Sequence, residues 1–162
     1  MQFSLVTAAL ALAALTDMVA GESHIIQFNN RCGFGTPTLI QGSTVLSTGA
    51  NFTSSGPLIA AIAYLQTGSC GFNGEGCTLI ETTLMNPVGP PGLGSGADIN
   101  LIPPHTFSVA LGFAYFDGCD GVGAYCNDPA CPAAAHSAND SFLQVQCQED
   151  NVNLAITFCE EP

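Results

Sequence analysis

Residues 67–84 read TGSCGFNGEGCTLIETTL. Cys70 and Cys77 enclose a hexapeptide of turn-forming residues, which a local disulfide could close. The run that follows, Thr78–Leu84, is rich in β-branched residues and is typical of a strand. The stretch therefore predicts β-structure that covalent cross-links hold in place.

Similar short runs recur along the chain, separated by glycine, proline, asparagine and serine. They are His24–Asn29, Thr38–Ile40, Leu58–Leu65, Asp98–Ile102, Thr106–Val109, Phe142–Cys147 and Val152–Cys159. Asn86–Ala97 is a Pro- and Gly-rich loop, and Ala133–Ala135 could form one helical turn. Many short strands with frequent turns predict an all-β, antiparallel sandwich.

The N-terminal segment has the pattern of an export signal. Leu5–Leu15 is apolar apart from Thr7 and is too short to span a bilayer, and small residues follow at positions 19–21. We expect a signal peptide over residues 1–21 and a single domain over residues 22–162, with no membrane span. Sequons at Asn51 and Asn139 predict N-glycosylation on that route.

The chain has eight cysteines. An even number behind an export signal indicates a disulfide framework and a secreted protein. A zinc site is the alternative, but the usual Cys-x-x-Cys ligand pairs are missing. Spacing alone leaves about 105 pairings open.

The charge balance excludes several partners. The chain has thirteen acidic side chains and one basic side chain, Arg31, so its net charge is −12. Such a surface repels phosphate backbones and anionic lipids, so we expect no nucleic-acid partner. Neutral polymers, cations and basic proteins remain possible partners, and acidity that only keeps the protein soluble is the simpler interpretation.

Several segments, in the same order along the chain, resemble thaumatin-like proteins. They are Asn30–Cys32, Thr67–Phe72 (similar to Thr-x-Cys-x-Phe), Thr78–Leu84 (similar to Thr-Leu-Ala-Glu-Phe-Thr-Leu), Asp98–Ile102, Phe107–Val109, Gly118–Cys119 and Ile156–Cys159. The chain resembles the small, cysteine-poor fungal members of the family. Its second, loop-rich region is reduced to Ala124–Asn139.

The resemblance implies a thaumatin-like, disulfide-stapled β-sandwich. It also implies the pairings Cys32–Cys159, Cys70–Cys77 and Cys119–Cys147, and the remaining pair would be Cys126–Cys131. Family members carry an acidic cleft that is linked to binding of β-1,3-glucan and sometimes to its weak hydrolysis. The implied partner is therefore a cell-wall polysaccharide, bound by a monomer that needs no cofactor.

Glu81 matches the glutamate of that cleft and Asp98 matches its first aspartate. The arginine position falls near Gln66 and is lost, and the second aspartate position holds no acid. Asp117 or Asp120 could replace the third aspartate. Tyr64 and Tyr115 are the candidate aromatic platforms for a sugar ring, whereas phenylalanines more often pack in a core.

Two carboxylates matter because glycoside hydrolysis needs one protonated acid and one carboxylate base or nucleophile. We expect a secreted binder of cell-wall β-1,3-glucan with a defence, antifungal or wall-remodelling role. The alternatives are a weak endo-β-1,3-glucanase using Glu81 and Asp98, and an extracellular structural or interaction protein. The simpler interpretation of both acids is that they are polar strand residues facing solvent.

A copper site is a minor alternative. If processing made His24 the first residue, its α-amine and imidazole could chelate copper, with His105 or His136 as a further ligand. The simpler interpretation is one histidine before a strand and two in loops. We therefore expect no metal unless His24 is the mature N-terminus.

Overall fold

The computed structural model describes residues 21–89 and 93–162. All but the last residue of the predicted signal peptide lies outside the described residues. The strands are β1 (Ser23–Asn30), β2 (Thr36–Gln41), β3 (Thr44–Ser47), β4 (Phe52–Ser55), β5 (Leu58–Gln66), β6 (Leu79–Leu84), β7 (Ser95–Asn100), β8 (Leu111–Phe116), β9 (Gly123–Cys126), β10 (Ala134–Ala135), β11 (Val145–Cys147) and β12 (Asn153–Phe158). One 3-10 turn, Ser141–Leu143, is the only helical element in the part of the chain that the structure describes.

Two sheets form a sandwich, which confirms the predicted all-β class. The first sheet has the order β4-β1-β12-β8-β9. The second has the order β10-β7-β6-β5-β2-β3, and β11 also pairs with β7. Most pairings are antiparallel, but β1 runs parallel to β12 and β10 runs parallel to β7. The outer edge of β7 is therefore shared by two short strands, β10 and β11.

Side chains alternate between the two faces of the second sheet because the strand period is two. Ala63, Ile80 and Ile99 are fully buried and join the core between the sheets. Phe113 and Ile156 enter the same core from the first sheet. The alternate residues of β6 and β7 therefore lie on the outer face of the second sheet.

The four disulfides are those that the resemblance implies. Cys32–Cys159 joins residues 127 apart in the sequence, next to the parallel β1–β12 pair, and Cys119–Cys147 spans 28 residues. Cys70–Cys77 and Cys126–Cys131 close local loops. Four disulfides fit an extracellular protein. Within residues 21–89 and 93–162, no helix is long and apolar enough to cross a membrane.

Four local predictions were wrong. The predicted loop Asn86–Ala97 is too long, because Ser95–Ala97 already pairs within the sheet as part of β7. Thr106–Val109 is not a strand, because Thr78 Oγ1 bonds the Ser108 N–H and the Val109 carbonyl and takes this backbone out of any ladder. Ala134–Ala135 pairs with β7 as a strand, so no helical turn forms there. Phe142 lies in the 3-10 turn, and the strand starts only at Val145.

Candidate functional site

The strand register places Glu81 and Asp98 side by side. Glu81 on β6 lies directly opposite Asp98 on β7, and Ile62 on β5 continues the same row. Directly opposite residues of an antiparallel pair have Cβ atoms about 4.5–5.5 Å apart. The structure thus brings together the two acids that the sequence singled out, on the outer face of the second sheet.

Residues 135–144 cover part of this face and create a groove of about 260 Å³. The strands β10 and β11 flank this segment and hold it to β7, through Ala135 opposite Asn100 and Val145 opposite Ala97. The groove is lined by Glu81, Asp98, Asn100, Ile102, Ala135, Ser137, Ala138, Asp140, Ser141 and Gln144. Nearly all of these side chains can give or accept hydrogen bonds, or are small.

Hydrogen bonds fix the polar side chains at the base of the groove. The Asn100 amide donates to Glu81 Oε1 at 2.9 Å, and Asn100 Oδ1 accepts from the Ile102 N–H at 2.7 Å. Asn100 therefore orients the Glu81 carboxylate while leaving its other oxygen for a ligand.

The Asp140 carboxylate stabilises the turn that contains it. Its Oδ2 accepts hydrogen bonds from the His136 N–H at 3.0 Å and from the Ser137 N–H at 2.9 Å. These backbone donors lower the pKa of Asp140. Asp140 therefore stays ionised and anchors the rim of the groove.

The surroundings of Asp98 shift its pKa in the opposite direction from that of Asp140. Burial, and then the neighbouring Glu81 charge, raise the pKa of Asp98 to about 6, while a hydrogen bond from Gln144 opposes that shift. Arg31, the one basic side chain, lies elsewhere and pairs with Glu160 at 3.4 Å. Asp98 can therefore keep its proton in mildly acidic solution, where an ordinary aspartate has lost it.

The two predicted aromatic platforms are wrong. Tyr64 and Tyr115 are 2% and 1% exposed, so neither ring offers a face to a sugar. The Tyr64 hydroxyl donates to the Phe72 carbonyl at 2.8 Å, and the Tyr115 hydroxyl donates to the Val145 carbonyl at 2.9 Å. Both rings are core side chains whose polar ends are satisfied inside the protein, and burial raises the pKa of each.

The predicted third acid is also misplaced. Asp117 and Asp120 lie in the turn after β8, in the first sheet, and neither lines the groove. Asp117 accepts a hydrogen bond from the Asn153 amide at 3.0 Å, and Asp120 accepts one from the Gly118 N–H at 3.1 Å. The Asp117 carboxylate ties the turn to Asn153 on β12, and the Asp120 carboxylate stabilises the backbone of the turn itself.

The histidines have structural partners. His24 is buried in β1, with Nδ1 donating to the Val152 carbonyl at 2.7 Å and Nε2 lying 3.1 Å from Glu22 Oε1. Neither ring nitrogen is free for copper while Glu22 is present. His105 bonds a backbone carbonyl at Gly74, and His136 bonds one at Cys131. Among the described residues no cluster of three or more potential metal ligands forms.

The sequence did not reveal the groove side chains Asn100, Ser137 and Gln144. These side chains meet only because β10 and β11 pair with β7. Strands of two and three residues leave no local pattern from which the sequence could predict them. Phenylalanine was expected to pack in a core, but Phe72 is 49% exposed. It lies in the short Cys70–Cys77 loop and does not line the groove.

Comparisons with known proteins support the fold. No protein-family model matches the chain, and no curated protein matches it in sequence. The solved structure of a thaumatin-like xylanase inhibitor matches with a TM-score of 0.52 and 18% sequence identity. The match covers 85% of this chain and 99% of that chain. The fold of this chain is therefore thaumatin-like.

Proposed function

We propose that this chain is a secreted thaumatin-like protein that binds cell-wall β-1,3-glucan in the groove between β6–β7 and residues 135–144. The observation that carries the proposal is the register pairing of Glu81 with Asp98 at the base of that groove. Glucan binding would serve a defence, antifungal or wall-remodelling role outside the cell.

The lining of the groove matches the chemistry of a neutral sugar chain. Glu81 offers acceptor oxygens, Asp98 offers a donor when it is protonated, and Ser141 and Gln144 can give or accept hydrogen bonds. A sugar has hydroxyl groups that both give and accept hydrogen bonds, and it carries no charge for the net charge of −12 to repel. The polar side chains among the lining residues favour a polysaccharide over a wholly apolar ligand.

A pull-down on insoluble β-1,3-glucan tests the proposal. We expect Glu81→Gln to weaken binding about tenfold, because a hydrogen bond to a charged group contributes about 1.5 kcal/mol or more. Glu149→Gln is the matched control, since Glu149 is exposed in the turn before β12 and lies outside the groove. Equal binding by the two variants, or equal retention on xylan and cellulose, would overturn the proposal.

Weak hydrolysis is a second candidate, and the raised pKa of Asp98 beside Glu81 favours it. The register makes the two acids neighbours, and a carboxyl separation of about 5 Å would suit a retaining mechanism, with Asp98 as acid and Glu81 as nucleophile. We expect no release of reducing ends, because the proposed role of the groove is binding alone. Release that is lost in both Glu81→Gln and Asp98→Asn would establish an enzyme.

A protein partner is the third candidate. The matched solved structure is that of a xylanase inhibitor, so binding to a glycoside hydrolase deserves a direct assay. A shared fold does not carry a shared function. Measuring xylanase activity with excess protein would decide this point, and we expect no inhibition if glucan is the natural ligand.

A further inference from the structure

The sequon at Asn139 lies on the rim of the groove. Asn139 is exposed at a turn that the Asp140 N–H closes onto the Ser137 carbonyl at 3.0 Å. Its neighbours on both sides, Ala138 and Asp140, line the groove, and so does Ser141, the third residue of the sequon. A group attached to Asn139 would therefore begin one residue from the groove wall.

The turn is held firmly enough to direct such a group. The Asp140 carboxylate bonds the N–H groups of His136 and Ser137 and also the Ser137 hydroxyl, at 2.9–3.2 Å. The Asn139 N–H in turn donates to Ser137 Oγ at 3.3 Å. The Asn139 side chain itself makes no hydrogen bond to the described residues, so its amide nitrogen is available.

We propose that Asn139 carries an N-linked glycan that overhangs the groove and controls access to Glu81 and Asp98. The inference rests on the proposed function for the identity of the excluded ligand. In the modification, Asn139 Nδ2 attacks the anomeric carbon of a lipid-diphosphate-linked oligosaccharide. The carbon–oxygen bond to phosphate breaks, the lipid diphosphate leaves, and the amide gives up one proton.

Partial cover of the groove lowers apparent affinity without removing any contact. The apparent Kd equals the intrinsic Kd divided by the fraction of molecules whose groove is open. A glycan that covers the groove about two thirds of the time therefore raises the apparent Kd about threefold.

Asn51 provides a matched control on the same molecule. It is an exposed sequon residue that precedes β4, at the edge of the first sheet, and its Oδ1 accepts a hydrogen bond from Phe28. The groove lies on the outer face of the second sheet, and neither Asn51 nor Phe28 lines it. A glycan at Asn51 should leave the groove open.

The test compares the wild-type protein with Asn139→Gln and Asn51→Gln, all secreted from a eukaryotic host. Glycopeptide mapping measures occupancy at each site. Carbodiimide coupling of a bulky amine to Glu81 then measures access to the groove, and a soluble β-1,3-gluco-oligosaccharide measures affinity. We expect Asn139 to be occupied, and Asn139→Gln to raise both the rate of Glu81 labelling and the affinity about threefold. Asn51→Gln should change neither.

The outcomes separate this inference from the proposed function. Faster Glu81 labelling in Asn139→Gln with no oligosaccharide binding in any variant would support the glycan cover and overturn the glucan proposal. An unoccupied Asn139, or an occupied Asn139 whose loss changes neither labelling nor affinity, would overturn the cover. Trimming the wild-type glycan to its first sugar should reproduce the effect of Asn139→Gln without altering the chain.

Discussion

Asp98 is the residue on which the chemistry of the groove depends. Burial and the adjacent Glu81 raise its pKa to about 6, whereas backbone donors lower the pKa values of Glu22 and Asp140. The resemblance to a known family predicted that Glu81 and Asp98 would be neighbours, and the register places them so. The prediction that Tyr64 and Tyr115 are aromatic platforms failed. A tyrosine in a strand gives the same sequence pattern whether its ring faces solvent or the core.

The raised pKa predicts how stability depends on pH. Between about pH 4 and pH 6 the folded protein holds a proton on Asp98 that the unfolded chain has released, so this group's stabilising contribution falls as pH rises through that window. We expect Asp98→Asn to flatten the fall in melting temperature between pH 4 and pH 6. Thermal unfolding of both proteins at several pH values checks this. Parallel pH profiles would contradict it.

The elements that shape the groove are the ones that sequence could not predict. Long strands such as β5 and β12 follow from their β-branched and apolar runs. In contrast, β10 and β11 are two and three residues long and gain their order from pairing with β7 and from the nearby disulfides. Because these two strands form only through tertiary pairing, local sequence propensity cannot predict them.

Gly96 on β7 offers a precise test of this arrangement. A Cβ there would come within 2.8–3.2 Å of the Gln144 amide group, the end of a flexible side chain that lines the groove. We expect Gly96→Ala to displace Gln144 and weaken glucan binding severalfold, while stability changes by less than about 1 kcal/mol. Denaturant unfolding and the glucan pull-down measure the two effects.

The Gln144→Ala variant tests whether Gly96→Ala acts through the Gln144 side chain. If Gly96→Ala acts only by moving Gln144, it should cause no further loss of binding in the Gln144→Ala background. Additive losses in the double variant would show that the alanine disturbs β7 itself.

At the scale of the whole molecule, covalent bonds replace ion pairs. In residues 21–89 and 93–162 a single arginine–carboxylate pair forms, Arg31–Glu160 on the surface, beside one histidine–carboxylate contact between His24 and Glu22. The cysteine count predicted a cross-linked sandwich, and the resemblance supplied the pairing, which spacing could not. The Cys32–Cys159 bond joins the chain just after the end of β1 to the chain just after the end of β12 and closes almost the entire domain.

Replacing both cysteines of a bridge by alanine should therefore cost more when the closed loop is longer. We expect removal of Cys32–Cys159 to lower the free energy of unfolding by about 5 kcal/mol, and removal of Cys126–Cys131 by about 2 kcal/mol, in the chain-entropy model. Their sequence separations are 127 and 5 residues. Equal losses in chemical denaturation would show that loop closure is not what stabilises the domain.

The most direct test of the proposed glucan site is an NMR titration of the glycan-free protein with a β-1,3-gluco-oligosaccharide at pH 5. Binding in this groove should give saturable amide shifts at Glu81, Asp98, Asn100 and Gln144, with the turn at Asp117–Asp120 unchanged. Shifts that cluster at that turn, or no shifts at all from a protein whose spectrum shows it to be folded, would contradict the assignment of this groove as a glucan site.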